Sequence, residues 1–493
     1  MESNRPLIYQ YKTPGGYYIY DVNKSAILSV NKEVYDFLLN NEKELKIEDI
    51  EFKNEGLHSI KKMIKKGFLS SNRVKKIEHP VTNYIADMLD NKLQTITLQV
   101  TQQCNLRCRY CAYSGSYMNR RHSDKVMDIS LAKEGIDFLL DHSQNTKVLN
   151  IGFYGGEPLL EFELVEECLR YAKEQSEGKK ITFNMTTNAT LLTKEIVEKL
   201  QEYDVNLMIS LDGPKEIHDK NRRFAYTNEG TFDTIVRNMK MVKENFPEYY
   251  KKIYFNTVVD PKSDFVCLNE FFSDSNLIDD TMVNTSFVST DNLDSDKKRS
   301  EEFCNIKYQE KLEYEMFKMF LCKLGRIREE CVSKLAVGNF ETTKLFLHSK
   351  RGITNELSES EHHGGVCVPG VRKLFLNISG NLYPCEKCNE TSRAMSIGDI
   401  KNGFDIEKVK NLLNVGKVTE EKCKDCWAFR LCNICAISVD DGEKLSLEKN
   451  LKKCVEAQSN AHSMLVEYTM LKEFGFNFDN VNNVISFKEN ENE

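Results

Sequence analysis

Apolar residues recur along this chain in short runs, and longer amphipathic stretches separate the runs. Between residues 93 and about 290 the runs alternate with segments in which apolar side chains return every three or four positions. Short apolar runs predict buried strands, and the longer period predicts helices. The predicted strands are residues 93–100, 148–153, 181–186, 205–210, 253–259 and 282–288. Six strands that alternate with helices predict a parallel α/β fold, here a partial (β/α)6 barrel.

The first 78 residues follow a different pattern. Residues 15–30 alternate between apolar and polar positions around a polar turn, which predicts a hairpin. Residues 56–67 have helical apolar spacing and end on a glycine, which predicts a short helix. A hairpin with small helices predicts a winged-helix-like module over residues 1–78, and residues 79–92 form a predicted bridge to the barrel.

Composition divides the rest of the chain. The predicted barrel takes residues 93–297, and a charged stretch with helical and loop-like parts follows over 298–363. Residues 364–460 are rich in cysteine and form the next predicted domain. Residues 461–493 are predicted to be a C-terminal tail, because the sequence ends in a polar, charged composition that is typical of disorder.

Length and charge narrow the classes of protein that fit. The 493 residues are 40% hydrophobic and 29% charged, which is ordinary for a globular protein. A net charge of −7 argues against binding to nucleic acid or to an anionic membrane. The sequence shows no secretory signal and no apolar run of about 18 residues, so we expect a cytoplasmic protein without membrane contact. In a reducing compartment, clustered cysteines indicate metal binding or redox chemistry.

Three of the sixteen cysteines lie in one short loop. Cys104, Cys108 and Cys111 follow the first predicted strand with C-x3-C-x2-C spacing. Glycine-rich or polar irregularities follow the next four strands, at residues 155–158, 187–190, 210–214 and 258–261. The carboxyl ends of barrel strands share one face, and that face carries the active site. We therefore expect the cysteine loop and these turns to meet.

Three thiolates on a short loop suit a 4Fe–4S cluster, because the irons of such clusters take cysteine sulfur as ligand. A cubane bound entirely by protein takes four cysteines, so three leave one iron open for a small chelating ligand. Zinc is the competing interpretation. A structural zinc site requires a fourth protein ligand, for which His122 is available, but the spacing of the cysteines does not suit a zinc knuckle.

The cysteine spacing, the aromatic Tyr110 before the third cysteine and the Gly-Gly-Glu-Pro turn at 155–158 together resemble the radical S-adenosylmethionine (radical SAM) enzymes. In that family S-adenosylmethionine chelates the open iron, and its reductive cleavage yields a 5′-deoxyadenosyl radical. The resemblance implies the same cofactors here, with electrons from an external donor such as a flavodoxin or ferredoxin. It singles out no catalytic protein side chain.

The resemblance also assigns residues to S-adenosylmethionine. They are Tyr110, Gly155, Gly156, Glu157, Asn188, Ser210 and Arg222. The turn 155–157 would bind the methionine amino group, while Asn188 and Ser210 would hold the ribose and the methionine end. A guanidinium matches a carboxylate, so Arg222 would meet the methionine carboxylate, with Arg223 as an adjacent rival. Taken singly, Asn188 and Ser210 also fit as capping or turn residues.

A second field of eight cysteines resembles the SPASM extension of radical SAM peptide maturases, which holds up to two auxiliary 4Fe–4S clusters and would bring the total to three. The resemblance implies one auxiliary cluster on Cys423, Cys426, Cys432 and Cys454. It implies another on Cys367, Cys385 and Cys435, with either Cys388 or a substrate thiolate as the fourth ligand. Two residues separate Cys432 from Cys435 where three are common, and zinc at one of these sites stays an alternative.

The N-terminal module resembles the PqqD-like element that binds leader peptides of ribosomally made precursors. Such an element binds an extended peptide as an added strand on an exposed sheet edge. The alternatives are a winged helix that only caps the barrel, or one that binds DNA. A basic helix face for DNA would consist of Lys61, Lys62, Lys65 and Lys66. Acidic residues throughout the module argue against nucleic acid.

These features imply a radical SAM oxidoreductase that modifies a ribosomally synthesised precursor peptide. The chain most resembles the maturases that build thioether crosslinks in cysteine-rich peptides. One alternative is a maturase that forms carbon–carbon crosslinks, and another is a sulfatase-maturing type that generates formylglycine. The first 78 residues argue against the sulfatase-maturing type, which does not need them. The non-enzymatic alternative is an iron–sulfur redox sensor that binds DNA.

Overall fold

The computed structural model describes most of the chain. The described ranges are 5–41, 58–113, 120–260, 262–278, 283–288, 306–340, 354–478 and 484–487, without positions 177, 276, 338–339 and 365–366. Parts of the predicted segment 298–363 therefore lie outside the described residues.

Three strands and two helices form the N-terminal module. They are β1 (Ile8–Thr13), β2 (Gly16–Asp21), β3 (Ala26–Val30), α1 (Lys32–Asn40) and α2 (His58–Lys65). The strands pair antiparallel in the order β1-β2-β3. The predicted hairpin over 15–30 is confirmed as β2 and β3, while the winged-helix class of the module stays a prediction.

A six-stranded parallel sheet follows a short strand β4 (Lys76–Ile77) and a helix α3 (Ile85–Asn91). Its strands are β5 (Thr95–Thr101), β6 (Val148–Gly155), β7 (Lys180–Thr187), β8 (Val205–Ser210), β9 (Tyr254–Val259) and β10 (Val283–Phe287). Consecutive strands are neighbours, and every pair from β5 to β10 is parallel. All six predicted strands are confirmed to within two residues at each end.

Helices between the strands cover the outer face of this sheet with their apolar sides. They are α4 (Ile129–Asp141), α5 (Phe162–Glu174), α6 (Lys194–Glu202), α7 (Lys215–Asn221), α8 (Phe232–Asn245), α9 (Pro247–Tyr250) and α10 (Phe265–Asp274), with α11 (Ile306–Lys323) after β10. Side-chain oxygens of Asp128, Thr193 and Asp264 accept backbone amides at the starts of α4, α6 and α10. These caps explain why the helices begin there.

The cysteine-rich region continues the same sheet. Its strands are β11 (Ser360–Glu361), β12 (Leu374–Leu376), β13 (Asn381–Tyr383), β14 (Gly398–Asp399) and β15 (Gly403–Phe404). β12 pairs parallel with β5, and β13 to β15 add antiparallel beyond it, which gives one sheet of ten strands. Four helices follow: α12 (Ile406–Leu413), α13 (Glu420–Lys424), α14 (Ala436–Val439) and α15 (Leu447–Glu473).

The C-terminal region differs from the expected tail. The boundary between 460 and 461 falls inside α15, whose buried residues, among them Leu465 and Tyr468, pack against the N-terminal module. A last strand, β16 (Val484–Ser486), pairs parallel with β3. The polar composition of the final residues hid this apolar segment, which has a partner far away in the sequence.

One large core joins the barrel to the cysteine-rich region, and a second joins the N-terminal module to α15. A third, smaller core lies inside the N-terminal module, between β2, β3, α1 and α2. None of the helices in the described part of the chain combines the length and apolar character that crossing a bilayer requires.

Candidate functional site

The loop group is defined as Cys104, Cys108 and Cys111, which follow β5 at the carboxyl edge of the sheet. Backbone hydrogen bonds join this loop to the segment that follows α7. The amide of Arg107 donates to the carbonyl of Arg223 at 2.9 Å. The amide of Ala225 donates to the carbonyl of Asn105 at 2.8 Å. These two bonds fix the loop against a second element.

The glycine turn after β6 packs directly on the same loop. The amides of Gly156 and Glu157 donate to the carbonyls of Thr101 and Gln103 at 2.9 and 2.8 Å. A Cβ on Gly155 would lie 2.1 Å from the Thr101 oxygen, and one on Gly156 would lie 1.8 Å from the Gln103 oxygen. Only glycine permits this approach, because a side chain at either position would collide with backbone.

Asn188, at the end of β7, lies beside the loop group as expected. Its side-chain nitrogen is 3.9 Å from the Cys104 sulfur and donates to Asn105 at 2.9 Å. Its backbone amide donates to the Glu157 carboxylate at 2.8 Å. Burial raises the pKa of that carboxyl, and the amide of Asn188 and the hydroxyl of Thr187 counteract the rise. Glu157 therefore joins the ends of two strands through its side chain.

Ser210 ends β8, and a buried ion pair follows it. The Arg222 guanidinium donates to the Asp212 carboxylate from two nitrogens, at 2.9 and 3.1 Å. The Tyr110 hydroxyl donates to the same carboxylate, and the guanidinium lies 5.4 Å from the centre of the Tyr110 ring. Tyr110 and Arg222 thus bind each other through Asp212, and their expected contacts with S-adenosylmethionine stay predictions. Arg223 is exposed and donates to the Asn228 carbonyl.

His218 extends this buried network. The amide of Asp212 donates to its Nδ1 at 3.2 Å, so the ring proton resides on Nε2, which lies 3.0 Å from the Thr231 hydroxyl. Burial lowers the pKa of His218 to about 4, which keeps the ring neutral at pH 7. Sequence reasoning missed Asp212 as an organiser of the site. The Leu-Asp-Gly-Pro turn after β8 was the only signal for Asp212.

The thiols of the loop group fit a metal centre better than free cysteines. Burial raises the pKa of Cys104, and Glu157, Cys108 and Cys111 raise it further. Burial also raises the pKa of Cys108 to about 12, which Arg222 partly opposes. Buried thiols of this kind become thiolates only where a metal supplies positive charge. The donor set and the neighbouring guanidinium fit an anionic iron–sulfur cluster.

The bridge group is defined as Cys367, Cys385, Cys388 and Cys435, which come together from three segments of the cysteine-rich region. Cys388 is fully buried, and its thiol is hydrogen-bonded to that of Cys385. Cys435 interacts with Cys367 and Cys385. Cys388 also interacts with Cys435, so it lies beside two of the other three thiols of the group.

The cavity group is defined as Cys423, Cys426, Cys432 and Cys454, which line one cavity. The first three lie on a single stretch, and Cys454 reaches them from α15. The remaining wall has both apolar side chains, such as Phe429 and Ile434, and polar ones, such as Gln458 and the buried His363. Four thiols around one cavity fit the four iron positions of a cubane.

Zinc fits these groups less well. In the described part of the chain, no three His, Cys, Asp or Glu side chains approach closely enough to hold a single ion. Zinc–sulfur bonds of about 2.3 Å demand such close contact, whereas a cubane separates its ligands over four irons. His122, the candidate fourth zinc ligand, places its Nδ1 3.3 Å from the Gln102 carbonyl and its ring 5.5 Å from that of Tyr113.

Comparison with known proteins agrees with this geometry. Residues 98–271 match the model of the radical SAM superfamily. These residues form a radical SAM domain. They contain the loop group, the glycine turn and the buried network around Asp212.

The chain is also similar to several known proteins. The chain is 28% identical over 256 residues to the radical SAM cyclopropyl synthase TigE of Paramaledivibacter caminithermalis, which covers 48% of this chain and 52% of that protein. It is 26% identical over 360 residues to a cysteine-type anaerobic sulfatase-maturating enzyme of Clostridium perfringens, covering 70% and 90% respectively. An uncharacterized protein of Methanocaldococcus jannaschii is 38% identical over 143 residues, 29% of this chain and 46% of that protein. The chain spans about half the length of the Methanocaldococcus and Paramaledivibacter proteins.

Solved structures show the same fold. The structure described as native anSMEcpe with bound AdoMet superposes with a TM-score of 0.56 at 19% identity, over 79% of this chain and all of that one. At this identity the likeness extends to the fold of the radical SAM domain and the elements that follow it.

One buried cation connects the radical SAM domain to the bridge group. Arg120 forms an ion pair with Glu390 at 2.7 Å and donates to the Cys388 carbonyl at 3.0 Å. Its guanidinium lies 5.3 Å from the ring centre of Tyr113, whose amide donates to the Cys111 sulfur at 3.4 Å. A continuous chain of contacts thus runs from the loop group to the bridge group, and no sequence motif indicated it.

The inner face of the parallel sheet borders a cavity of about 730 Å³. Asparagines on adjacent strands form a ladder along it: the side-chain amide of Asn184 donates to Asn150 at 3.0 Å, and that of Asn206 donates to Asn184 at 3.2 Å. Arg372 and Lys373, from the cysteine-rich region of the chain, also line this cavity. The radical SAM domain therefore encloses a polar space that is large enough for several residues of a peptide.

Proposed function

We propose that this chain is a radical SAM enzyme that modifies a ribosomally synthesised precursor peptide and forms a thioether from a cysteine sulfur to a peptide carbon. The observation that carries the proposal is the position of the loop group on a parallel sheet whose inner face borders a polar cavity. When bound, a 4Fe–4S cluster with S-adenosylmethionine supplies a radical that can remove hydrogen from an unactivated carbon.

The side chains around the loop group hold and orient these ligands. Asn188 offers an amide beside Cys104, and Gly155 and Gly156 let the turn pack against the backbone of the cysteine loop. Arg222 places a positive charge next to the thiolate of Cys108. The asparagine ladder supplies amide donors and acceptors, which suit the backbone of an extended peptide.

The relatives support a peptide or protein as substrate. TigE is a cyclopropyl synthase and the Clostridium enzymes mature sulfatases, so radical SAM domains like this one act in different modifications. The antiparallel sheet of the N-terminal module favours a peptide with a leader segment, which would pair with a sheet edge in residues 1–78. We place the two auxiliary clusters on the bridge group and the cavity group.

Two other products have support of their own. The alignment over 90% of the Clostridium perfringens enzyme favours formylglycine formation, and the similarity to a cyclopropyl synthase favours a carbon–carbon bond. The burial of Cys388 beside Cys385 also favours Cys388 over a substrate thiolate as the fourth ligand of the bridge group. The thioether therefore rests on the resemblance to maturases of cysteine-rich peptides.

Tandem mass spectrometry of a cysteine-containing precursor, incubated anaerobically with the reconstituted enzyme and a flavodoxin or ferredoxin system, separates these products. A thioether leaves the peptide two hydrogens lighter, with one cysteine no longer alkylatable. A loss of two hydrogens with every cysteine still alkylatable contradicts the thioether and supports a carbon–carbon bond. An aldehyde in place of a thiol supports the sulfatase-maturing type. A protein that cleaves no S-adenosylmethionine would refute all three.

The role of the N-terminal module is tested by deleting residues 1–78. Binding of a leader peptide should weaken strongly, while cleavage of S-adenosylmethionine without peptide should survive, because β5, which the loop group follows, packs in the barrel core and not in the two cores that include the module. Equal affinity of the two proteins for the leader would reassign the module to a structural role.

A further inference from the structure

The outer edge of β3 is occupied by a segment from the other end of the chain. β16 pairs in parallel register, with Val484 opposite Ile27, Ile485 opposite Leu28 and Ser486 opposite Ser29. The amide of Phe487 adds a bond to the Ser29 carbonyl at 2.8 Å. Without this segment, β3 would present backbone donors and acceptors as an unpaired edge.

The side chains of the segment fill sites that the N-terminal module provides. Phe487 is buried, and its ring meets that of Phe68 edge to face at 5.9 Å. The Lys66 ammonium lies 5.0 Å from the centre of the Phe487 ring. Ile485 packs against the small core of the module, while the side chain of Ser486 points outward. An extended segment with two aliphatic residues, a small polar residue and an aromatic residue therefore fits this edge.

The contact is small for a permanent structural element. Among the described residues three form the strand, and polar or charged residues flank it in the sequence NNVISFKENENE. Short strands of this size are marginal by themselves, so the tether to the rest of the chain contributes much of the binding. An intermolecular peptide that makes more contacts along β3 can compete with it.

We propose that the β3 edge is a binding site for an extended peptide, and that residues 484–487 hold this site in cis until a substrate leader displaces them. The identity of the displacing peptide rests on the proposed function. The leader would carry an aliphatic–aliphatic–polar–aromatic segment, with its aromatic ring between Phe68 and Lys66. Acidic residues after the aromatic one would carry a charge opposite to that of the exposed lysines of α2. The chain's own sequence also has glutamates after Phe487.

The opposite edge of the sheet is less suited to this role. Asp425 lines a groove along β1 and pairs there with Arg5 and with the Nε of Arg73 at 2.8 Å. Tyr9 on β1 is stacked on Trp427 with ring centres 3.6 Å apart. A peptide that added to β1 would have to break these contacts, whereas the β3 edge already accepts a strand.

The test uses the chain's own segment as probe. A labelled peptide of residues 481–491 is titrated by fluorescence anisotropy against the full-length protein and against a chain that ends at residue 478. We expect the shortened chain to bind at least about tenfold more tightly, because the cis competitor with its millimolar effective concentration is gone. A probe with Phe487→Ala should lose at least about tenfold in affinity, and a probe of scrambled order should not bind.

A second variant tests the proposal independently, in case the shortened chain misfolds. Phe487→Ala in the full-length protein should reduce deuterium-exchange protection of residues 27–30, and excess probe should restore it. Equal affinity of the probe for full-length and shortened chains, or unchanged protection in Phe487→Ala, would overturn the proposal. Protection that appears at β1 instead would assign the site to the other edge. Cleavage of S-adenosylmethionine by the same preparations reports separately on the proposed function.

Discussion

The loop group and the cavity group present the same ligand, cysteine sulfur, in different numbers and from different parts of the chain. The loop group draws its three thiols from one short loop and is surrounded by polar side chains such as Asn188, Glu157 and Arg222. The cavity group collects four thiols from a stretch and a distant helix, around a cavity lined by both apolar and polar side chains. Three thiols suit a cubane with one iron open to an exchangeable ligand, whereas four thiols suit a closed cluster.

The largest expected effect comes from removing the ligands of one centre alone. Replacing Cys104, Cys108 and Cys111 with alanine should abolish 5′-deoxyadenosine formation and lower the iron content by about four of about twelve atoms per chain. The fold should persist, because the barrel core does not depend on this loop. Iron and sulfide assays with chromatographic detection of 5′-deoxyadenosine check both outcomes.

Cys168→Ala serves as the matched control. This cysteine is buried on α5 among apolar residues and should cost stability without any loss of iron or activity. Undiminished cleavage in the triple variant would end the assignment of the loop group. A triple variant that loses all its iron would show that the three centres are not independent.

The glycine turn provides a second test, which affects the loop group and leaves the cavity group unchanged. Gly156→Ala places a methyl group 1.8 Å from the Gln103 oxygen and must push the cysteine loop outward. A displacement near 1 Å at a reacting centre can cost about 100-fold in rate, so we expect a loss of that order in S-adenosylmethionine cleavage. Gly178→Ala is the control, since it has open space around it and should cost about 1 kcal/mol of stability for its positive φ alone.

A pH titration of folding stability tests the buried network of Asp212 and His218 beside the loop group. The pKa of His218 falls from its ordinary value of 6.5 to about 4 on folding, so the unfolded chain binds a proton between these values and the folded chain does not. Folding stability should therefore decrease by about 3 kcal/mol as the pH falls from 6.5 to 4. Thermal unfolding of wild type and His218→Gln isolates the contribution of His218 to the pH dependence of stability, because the variant lacks the imidazole. Parallel pH profiles of the two proteins would contradict the buried neutral ring.

The smallest effect is expected at the wall of the cavity group. His363 is buried there beside the cysteines, and its replacement by leucine removes a polar group from their surroundings. Because polarity near a cluster tunes its reduction potential, the potential of this centre should change while the iron content stays the same. Redox titration monitored by electron paramagnetic resonance measures it. Loss of four irons would instead make His363 essential for assembly.

Short-range patterns in the sequence were sufficient to predict the six strands of the barrel and the three cysteines of the loop group. The six strands are apolar runs, and the three cysteines stand in eight consecutive positions. The ion pair of Asp212 with Arg222, the chain of contacts through Arg120 and the pairing of β16 with β3 were not predictable. Each joins residues whose proximity depends on the packing of whole elements. Cys388 illustrates the same limit, because spacing left it uncertain and burial placed it beside Cys385.

The pairing of β12 with β5 has a consequence for attempts to build chimaeric enzymes from parts of this chain. A cut at residue 364 looks natural from composition, yet it would strip β5 of its neighbour and expose a central strand as a new edge. Such an edge invites aggregation, and a transplanted cysteine-rich region would arrive without the strand that anchors it. A fragment taken for a chimaera should therefore start at or before the first strand of the barrel. The barrel and the cysteine-rich region are then transferred together as one unit.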